Sequence, residues 1–563
     1  MSSGVIQDIV YVIALIGIGI PLGIYIYKVM TGKLTWKPIA ALERFTYKVM
    51  RINPEEEQTA GRYALSALTF SLFGFAVLFA LDMLQGYLPF NPEGLPGTSA
   101  HLAYNTAASF VSNTNWQAYS GESTLSYLTQ MAGLTVQNVV SPAVGTAVLF
   151  ALIRGFQRRE AGTIGNFWVD LVRATYYVMI PLSIIVTLIL VSQGVIQNLS
   201  AYVHATTLES GAEQIIPMGP AASQVAIKQL GTNGGGFFGV NSAMPLENPT
   251  PFSNFVECLS LLLIPAALCF SFGRAVKDSK QGRAIFIVML VIFLLALIGM
   301  TMSENLAAPQ FDGVAQSGSM EGKEARLGVD TSALWATATT SASNGSVNSM
   351  HDSYTPLAGG IQMFLMMLGE VVFGGVGCGL YGMLAFAILT VFIAGLMVGR
   401  TPEYLGKKIQ AFDMKMVCLV ILTPPLCLLL GTALSTFVPT VTDDFTNTGA
   451  HAYSELLYAY TSGAGNNGSA FAGFNANTVY SNMGIGTVML LVRFIPMVAV
   501  IFLGGNLAKK KLIPASSGTL STSNAMFIIL LLLIVFIVGA LTFLPALALG
   551  PIAEFFKTLP TLG

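Results

Sequence analysis

Four short polar clusters carry most of the chemistry in this 563-residue chain: Ser112-Asn113-Thr114-Asn115, Thr232-Asn233-Gly234-Gly235, Ser343-Asn344-Gly345-Ser346 and Asn466-Asn467-Gly468-Ser469. They offer amide, hydroxyl and backbone oxygens and contain no Asp or Glu. A ring of such oxygens can replace the hydration shell of a monovalent cation. Its neutrality suits a large, weakly hydrated ion better than calcium or magnesium, which favour carboxylates. Potassium fits best and sodium second. Gly234, Gly235, Gly345 and Gly468 let the backbone turn toward an ion. One Asn-Gly is an ordinary turn sequence, but four at matching points form a pattern. Aligned on Asn113, Asn233, Asn344 and Asn467, the clusters lie 120, 111 and 123 residues apart. In that alignment Thr114 stands where the other repeats have Gly, so the expected ring is asymmetric.

Two further features point to an ion path. The apolar stretch 361–398 is 38 residues long, about 57 Å as one helix at 1.5 Å per residue, nearly twice a bilayer core. Its middle, Phe373 to Gly382, includes Gly374, Gly375, Gly377, Gly379 and Gly382. Each glycine weakens a helix by about 1 kcal/mol relative to Ala. Two half-helices joined by a loop beneath the third cluster are therefore predicted, a break that marks ion paths in transporters; close packing through small residues is the plainer alternative. Arg493 sits inside a second apolar run, and an arginine there costs at least about 2.5–3.5 kcal/mol on insertion scales. It is either a cation barrier below the ring or half of a structural ion pair with Glu370. Glu257 is a candidate mouth charge or a boundary carboxylate.

These residues must be positioned by a membrane scaffold. Only 10% of residues are charged and 53% are hydrophobic, with a mean hydropathy of +0.67. A soluble domain carries about 25% charge. Runs near 5–28, 63–84, 125–153, 172–195, 253–273, 284–302, 361–398, 414–436, 478–504 and 525–547 are each long enough to span a bilayer. The predicted class is an all-α polytopic membrane protein with ten spans. Connections between spans 1–2, 3–4, 5–6, 7–8 and 9–10, with Lys28 and Lys415 at the adjoining span ends, hold 21 Lys and Arg, whereas the alternate connections hold only Lys228, Lys323 and Arg326. That bias predicts the basic connections inside, and both termini and the four long loops outside. Each long loop carries a stretch of helical length just before its polar cluster, namely Leu102–Phe110, Ala221–Leu230, Ser332–Thr340 and Tyr453–Thr461. The chain thus divides into a first extra helix and its connection (1–60), four pore repeats (61–160, 161–280, 281–410, 411–510) and a last extra helix (511–563).

Other patterns are bland. The five cysteines lie in or beside apolar segments without CxxC spacing and read as buried thiols. The four histidines fall in four separate loops, which argues against a metal cluster. The apolar N-terminus has no basic region or cleavage site and reads as a retained helix. Arg400–Lys408 is a candidate amphipathic surface helix for docking a partner, and Lys509-Lys510-Lys511 an orientation signal or anionic-lipid contact. Near-zero net charge gives no signal for nucleic acid. There is no GxxxxGK[ST] loop, no Asp-Lys-Thr-Gly phosphorylation sequence, and no convergent nucleophile or metal set for an intramembrane enzyme.

The four-fold order of span, short helix, polar loop and span resembles the superfamily of potassium transporters built from membrane–pore–membrane units on one chain. Thr114-Asn115-Trp116-Gln117-Ala118-Tyr119, Leu230 to Phe238, Ala342 to Ser346 and Gly465 to Phe471 resemble, more closely, the KdpA family of potassium-binding subunits of the bacterial Kdp potassium-transporting ATPase. The resemblance covers the whole chain, extra end helices included, although no TVGYG is present. It implies a K+ filter at the four clusters, a gating loop at Gly374–Gly379 and no organic cofactor. It also implies ATP hydrolysis by a P-type ATPase subunit (KdpB), accessory subunits KdpC and KdpF, a lateral ion exit toward the catalytic subunit, and a bacterial plasma membrane location with both termini periplasmic. A stand-alone or ring-regulated potassium channel or symporter of the same superfamily is the alternative.

Overall fold

Among the described residues, ten helices are long and apolar enough to cross a membrane: Ser3–Met30, Ala60–Tyr87, Thr129–Gln157, Phe167–Ser192, Pro251–Ala275, Ser279–Leu306, Cys378–Met397, Ala411–Ser435, Val479–Ala508 and Ala525–Lys557. The protein is a multi-pass, all-α membrane protein. The computed structural model describes residues 3–306, 318–514 and 519–558. Between the spans of each repeat lies a short helix: Ala100–Val111, Ala221–Leu230, Gly328–Ala342 and Ala450–Ala464. These match the four stretches anticipated from sequence, extended by up to four residues at their N-terminal ends and up to three at their C-terminal ends. Although they lie in the polar loops of the sequence, their surfaces are almost wholly buried in the bundle. Irregular backbone beyond them is tolerable in a bilayer because protein encloses it.

Local signals explain several boundaries. The fifth span starts at Pro251, whose missing N–H costs nothing at the first helical position. Thr250 and Ser253 cap its first turn reciprocally. The seventh predicted span is two helices, Pro356–Met367 and Cys378–Met397, joined by residues 368–377. Close helix packing alone does not account for this stretch, because the chain leaves helical geometry altogether. The largest core cluster draws buried residues from all ten spans.

Three expectations need correction. Arg400–Lys408 is no helix. Glu403–Tyr404 pairs antiparallel with Lys407–Lys408 around Leu405 and Gly406, both left-handed (φ 50° and 73°), as a tight hairpin turn requires. Tyr404 and Lys407 are buried, and Lys407 Nζ donates to the carbonyls of Arg158 and Lys510. Among the cysteines, Cys418 is exposed and Cys427 half-buried. Glu257 is fully buried, which removes it as an exposed mouth charge.

Candidate ion-binding site

All four short helices stop in the same way, and that stop builds the ring. Thr114, Asn233, Asn344 and Asn467 each donate a backbone N–H to the carbonyl five residues earlier, on Ser109, Lys228, Thr339 and Ser462, at 2.9, 2.9, 3.0 and 2.9 Å. Such a closure needs a left-handed residue just before the donor. Asn113, Thr232, Ser343 and Asn466 supply it, with φ of 70°, 53°, 50° and 44°. Two residues later the backbone is left-handed again at Asn115, Gly234, Gly345 and Gly468 (56°, 75°, 91° and 104°).

This geometry corrects the alignment of repeat one. Thr114, not Asn113, is the counterpart of Asn233, Asn344 and Asn467, and Asn115 stands where the other repeats have Gly. The sequence misleads because asparagine occurs on both sides of Thr114, and Asn tolerates left-handed backbone better than most residues. Thr232 is the outlier, since β-branched residues seldom adopt positive φ.

The loops pack into a closed ring. A Cβ on Gly234 would lie 2.0 Å from the Asn344 carbonyl oxygen, one on Gly345 2.3 Å from that of Asn467, and one on Gly468 2.3 Å from that of Thr114. The fourth junction is made by Asn115, whose Nδ2 donates to the Gly235 carbonyl at 3.2 Å. Asparagine side chains staple neighbours together. Asn344 Nδ2 donates to the Lys228 carbonyl at 3.1 Å and Asn467 Nδ2 to that of Thr339 at 2.8 Å. Asn466 Nδ2 reaches Thr114 Oγ1 at 2.8 Å, and Asn233 Nδ2 donates to the Asn113 side chain.

The backbone carbonyls of Thr114, Asn344 and Asn467 accept no hydrogen bond among the described residues, although all three residues are fully buried. Buried carbonyls are almost always paired. The C-terminal ends of the four helices, with their partial negative charge, converge on the same ring. A cation satisfies both.

Residues 115, 235, 345 and 468 open onto a vestibule of about 250 Å³ also lined by Gln117 and His351. On the other side Asn466 borders a small cavity with Glu370, Cys378 and Arg493. The ring therefore separates two cavities. Burial, with Lys323 nearby, lowers His351 to about 3, so its ring is neutral. The loop 368–377 lies against the inner end of the ring. Val376 N–H donates to Thr232 Oγ1 at 2.9 Å, and Gly374 N–H to the Ser341 carbonyl at 3.0 Å. Of the four candidate gate glycines, Gly374 and Gly377 have positive φ. Gly375 N–H donates to Glu370 Oε2 at 3.2 Å, and Gly379 lies in the first turn of the second half-helix, where a Cβ would meet the Phe373 carbonyl at 1.7 Å. Arg493 Nη1 contacts the Cys378 thiol and lies 4.0 Å from Glu370 Oε1.

Several members of the site escaped the sequence reading. Asn138 and Ser141, one helical turn apart on the third span, hold Asn115 and Asn113 (both 2.7 Å); polar residues at that spacing in an apolar span were the available signal. Trp335 Nε1 donates to the Ser346 carbonyl at 2.8 Å, and Tyr458 Oη lies 2.7 Å from Ser469 Oγ. These two aromatics occupy the same position on their helices, but an aromatic on a buried helix reads as core. Behind the second and third repeats, Lys228 pairs with Glu247, and Ser242 Oγ donates to Glu257 Oε2 at 2.7 Å. Lys323 pairs with Glu304 at 2.6 Å, all four charges being fully buried. Two of the three basic residues in the long loops are thus structural.

A family model described as the potassium-transporting ATPase A subunit (KdpA) matches residues 9–556. A potassium-transporting ATPase potassium-binding subunit from Listeria monocytogenes is 60% identical over 560 residues, covering 99% of this chain and all of that protein. One of the same description from Clostridium perfringens is 58% identical over 576 residues, with the same coverage. The solved potassium transporter TrkH from Vibrio parahaemolyticus shares the fold, with a TM-score of 0.53 at 12% identity over 80% of this chain and 86% of that one. This chain belongs to the KdpA family.

Proposed function

We propose that this chain binds and selects K+ in the four-loop ring and passes it to the catalytic subunit of an ATP-driven uptake complex. The observation that carries the reading is the set of buried, unpaired carbonyls at Thr114, Asn344 and Asn467, in a ring of loops free of Asp and Glu. Unpaired dipoles attract a cation, and the lack of carboxylates favours a monovalent one. The names of the 56–61% identical relatives support potassium and an ATPase complex. The sequence has no nucleotide loop and no phosphorylation motif, so hydrolysis belongs to a partner of the P-type ATPase class, with accessory subunits. The basic connections lie toward the cytoplasm, and the vestibule and both termini face outward.

In this reading the ion enters from the vestibule, sheds water at the ring and meets the loop 368–377. Arg493 stands beyond as a positive barrier against direct leak. Arg493→Met is expected to raise passive K+ leak at least tenfold in proteoliposomes; leak equal to the unmodified complex would leave Arg493 a purely structural residue. The reading as a whole is tested by K+ uptake in potassium-starved cells lacking other uptake systems. Uptake is expected only with the ATPase partner present and is lost on ATP depletion. Uptake by the chain alone would favour a channel or symporter.

A further inference from the structure

Away from the ring, one histidine stands among three carboxylates. His451 lies at the start of the fourth pore helix. Its Nδ1 is 2.8 Å from Glu554 Oε1, and its Nε2 is 3.0 Å from Asp352 Oδ1. Glu455 follows four residues later, on the same helix face. Ligand atoms of Asp352, His451 and Glu455 all lie within 4.8 Å of one another.

Glu455 is the telling member. It is fully buried; its Oε1 accepts from Asn447 Nδ2 at 2.7 Å, and its Oε2 has no hydrogen-bond partner among the described residues. A buried carboxylate oxygen without a donor is costly. Entry is open, because the side chains of His451 and Asp352 keep 19% and 12% of their exposure.

We propose that Asp352, His451 and Glu455 form a binding site for a divalent transition cation of the zinc class. One imidazole nitrogen and two carboxylate oxygens are a ligand set that zinc accepts, leaving a fourth position for water. Glu554 holds the Nδ1–H and so turns Nε2 toward the ion, as outer carboxylates do at metal-bound histidines. Binding replaces the Nε2 proton now shared with Asp352, and one proton leaves to solvent. The ion ties the turn His351–Ser353 of the third repeat to the fourth pore helix and, through Glu554, to the C-terminal helix Ala553–Thr558. The same turn carries His351, whose Nδ1 is 2.8 Å from Tyr458 Oη, the group that props Ser469. The site therefore braces the vestibule wall beside the ring.

The test uses the full chain, purified without a histidine tag and together with its partner subunits. It is stripped with chelator, dialysed against zinc and counted for bound metal. One retained zinc per chain is expected, with Glu455→Gln weakening retention at least tenfold. Glu554→Gln is expected to weaken it about tenfold, the usual cost of removing such an outer group, whereas His204→Ala leaves it unchanged. No retained zinc, or retention indifferent to both Glu455→Gln and Glu554→Gln, would overturn the proposal. Should Glu455→Gln fail to fold, Glu554→Gln alone decides. Retention of manganese in place of zinc would overturn the zinc-class assignment.

Discussion

The third and fourth repeats build their share of the ring by one recipe, whereas the first and second improvise. In the third and fourth, Asn344 and Asn467 each donate to a carbonyl in the preceding pore helix. Each side-chain oxygen also takes the N–H two residues on, at 2.9 and 3.0 Å. Hydroxyls of Thr339 and Ser462 hold the amides of Gly345 and Gly468 at 3.0 and 2.9 Å. Trp335 and Tyr458 then prop the outer ends from matching positions. In the first two repeats the equivalent side chains turn on each other and on the third span. Asn233 reaches Asn113 and Ser141, Asn115 reaches Asn138, and Thr114 makes no equivalent staple. Yet the backbone angles agree across all four. What the fold preserves is the direction of the main chain, and the side chains that enforce it are interchangeable.

The contrast breaks most sharply at the glycines. At Gly345, positive φ combines with a Cβ position 2.3 Å from the Asn467 carbonyl oxygen. Gly345→Ser or Gly234→Ser is expected to cost about 1–3 kcal/mol of strain, roughly 10- to 100-fold in K+ affinity, and to admit other alkali ions. Competition of Rb+ and Na+ against K+ uptake measures this; unchanged ion preference in both variants would remove these backbones from the filter. Next, Asn467→Ala takes one of two donors from the Thr339 carbonyl, which keeps the Asn344 N–H, and leaves the Ser469 amide without a partner, a buried orphan that costs about 1–3 kcal/mol. Thr114→Ala orphans no donor, because Asn466 Nδ2 keeps the Met489 carbonyl and Ser112 Oγ that of Ser109, and is expected to lower thermal stability less than half as much. Equal losses would mean that the two halves of the ring are held alike.

A smaller effect is expected at the junction between ring and broken helix. Thr232→Val keeps the shape but removes the acceptor for Val376 N–H, a loss of about 1–3 kcal/mol confined to the loop 368–377. Hydrogen exchange at 374–378 should rise while the ring affinity changes little; no change in exchange would uncouple the loop from the ring. Smallest of all is the double change Thr114→Asn with Asn115→Gly, which gives repeat one the pattern of the others. Relief of left-handed strain offsets the lost bonds to Asn138 and to the Gly235 carbonyl, so K+ affinity should stay within about threefold of the unmodified chain, roughly 0.6 kcal/mol.

Much of the scaffold was legible because a bilayer makes hydropathy a direct readout of structure. The ten spans, the four pore helices and the break in the seventh stretch all follow from apolar runs interrupted by glycine or polar clusters. The register of repeat one was not legible, since Asn113 and Asn115 compete for one alignment and only the left-handed angles decide between them. Arg493 announced itself as a charge in an apolar helix, and Glu370 does lie beside it; the closer partner, Cys378, looks in sequence like any buried thiol. Hairpin 403–408 was missed because two left-handed residues, Leu405 and Gly406, reverse a segment whose composition suits a surface helix. The props Trp335 and Tyr458 become visible only when the ring has been closed.

The most direct test is to locate the ion. In the purified complex, Rb+ or Tl+ should give density on the axis between residues 113–115, 232–234, 343–345 and 466–468, within coordination distance of carbonyls from all four loops. That density should weaken in Gly345→Ser. Ion density confined to the cavity beside Glu370 and Arg493, with none in the ring, would contradict the account.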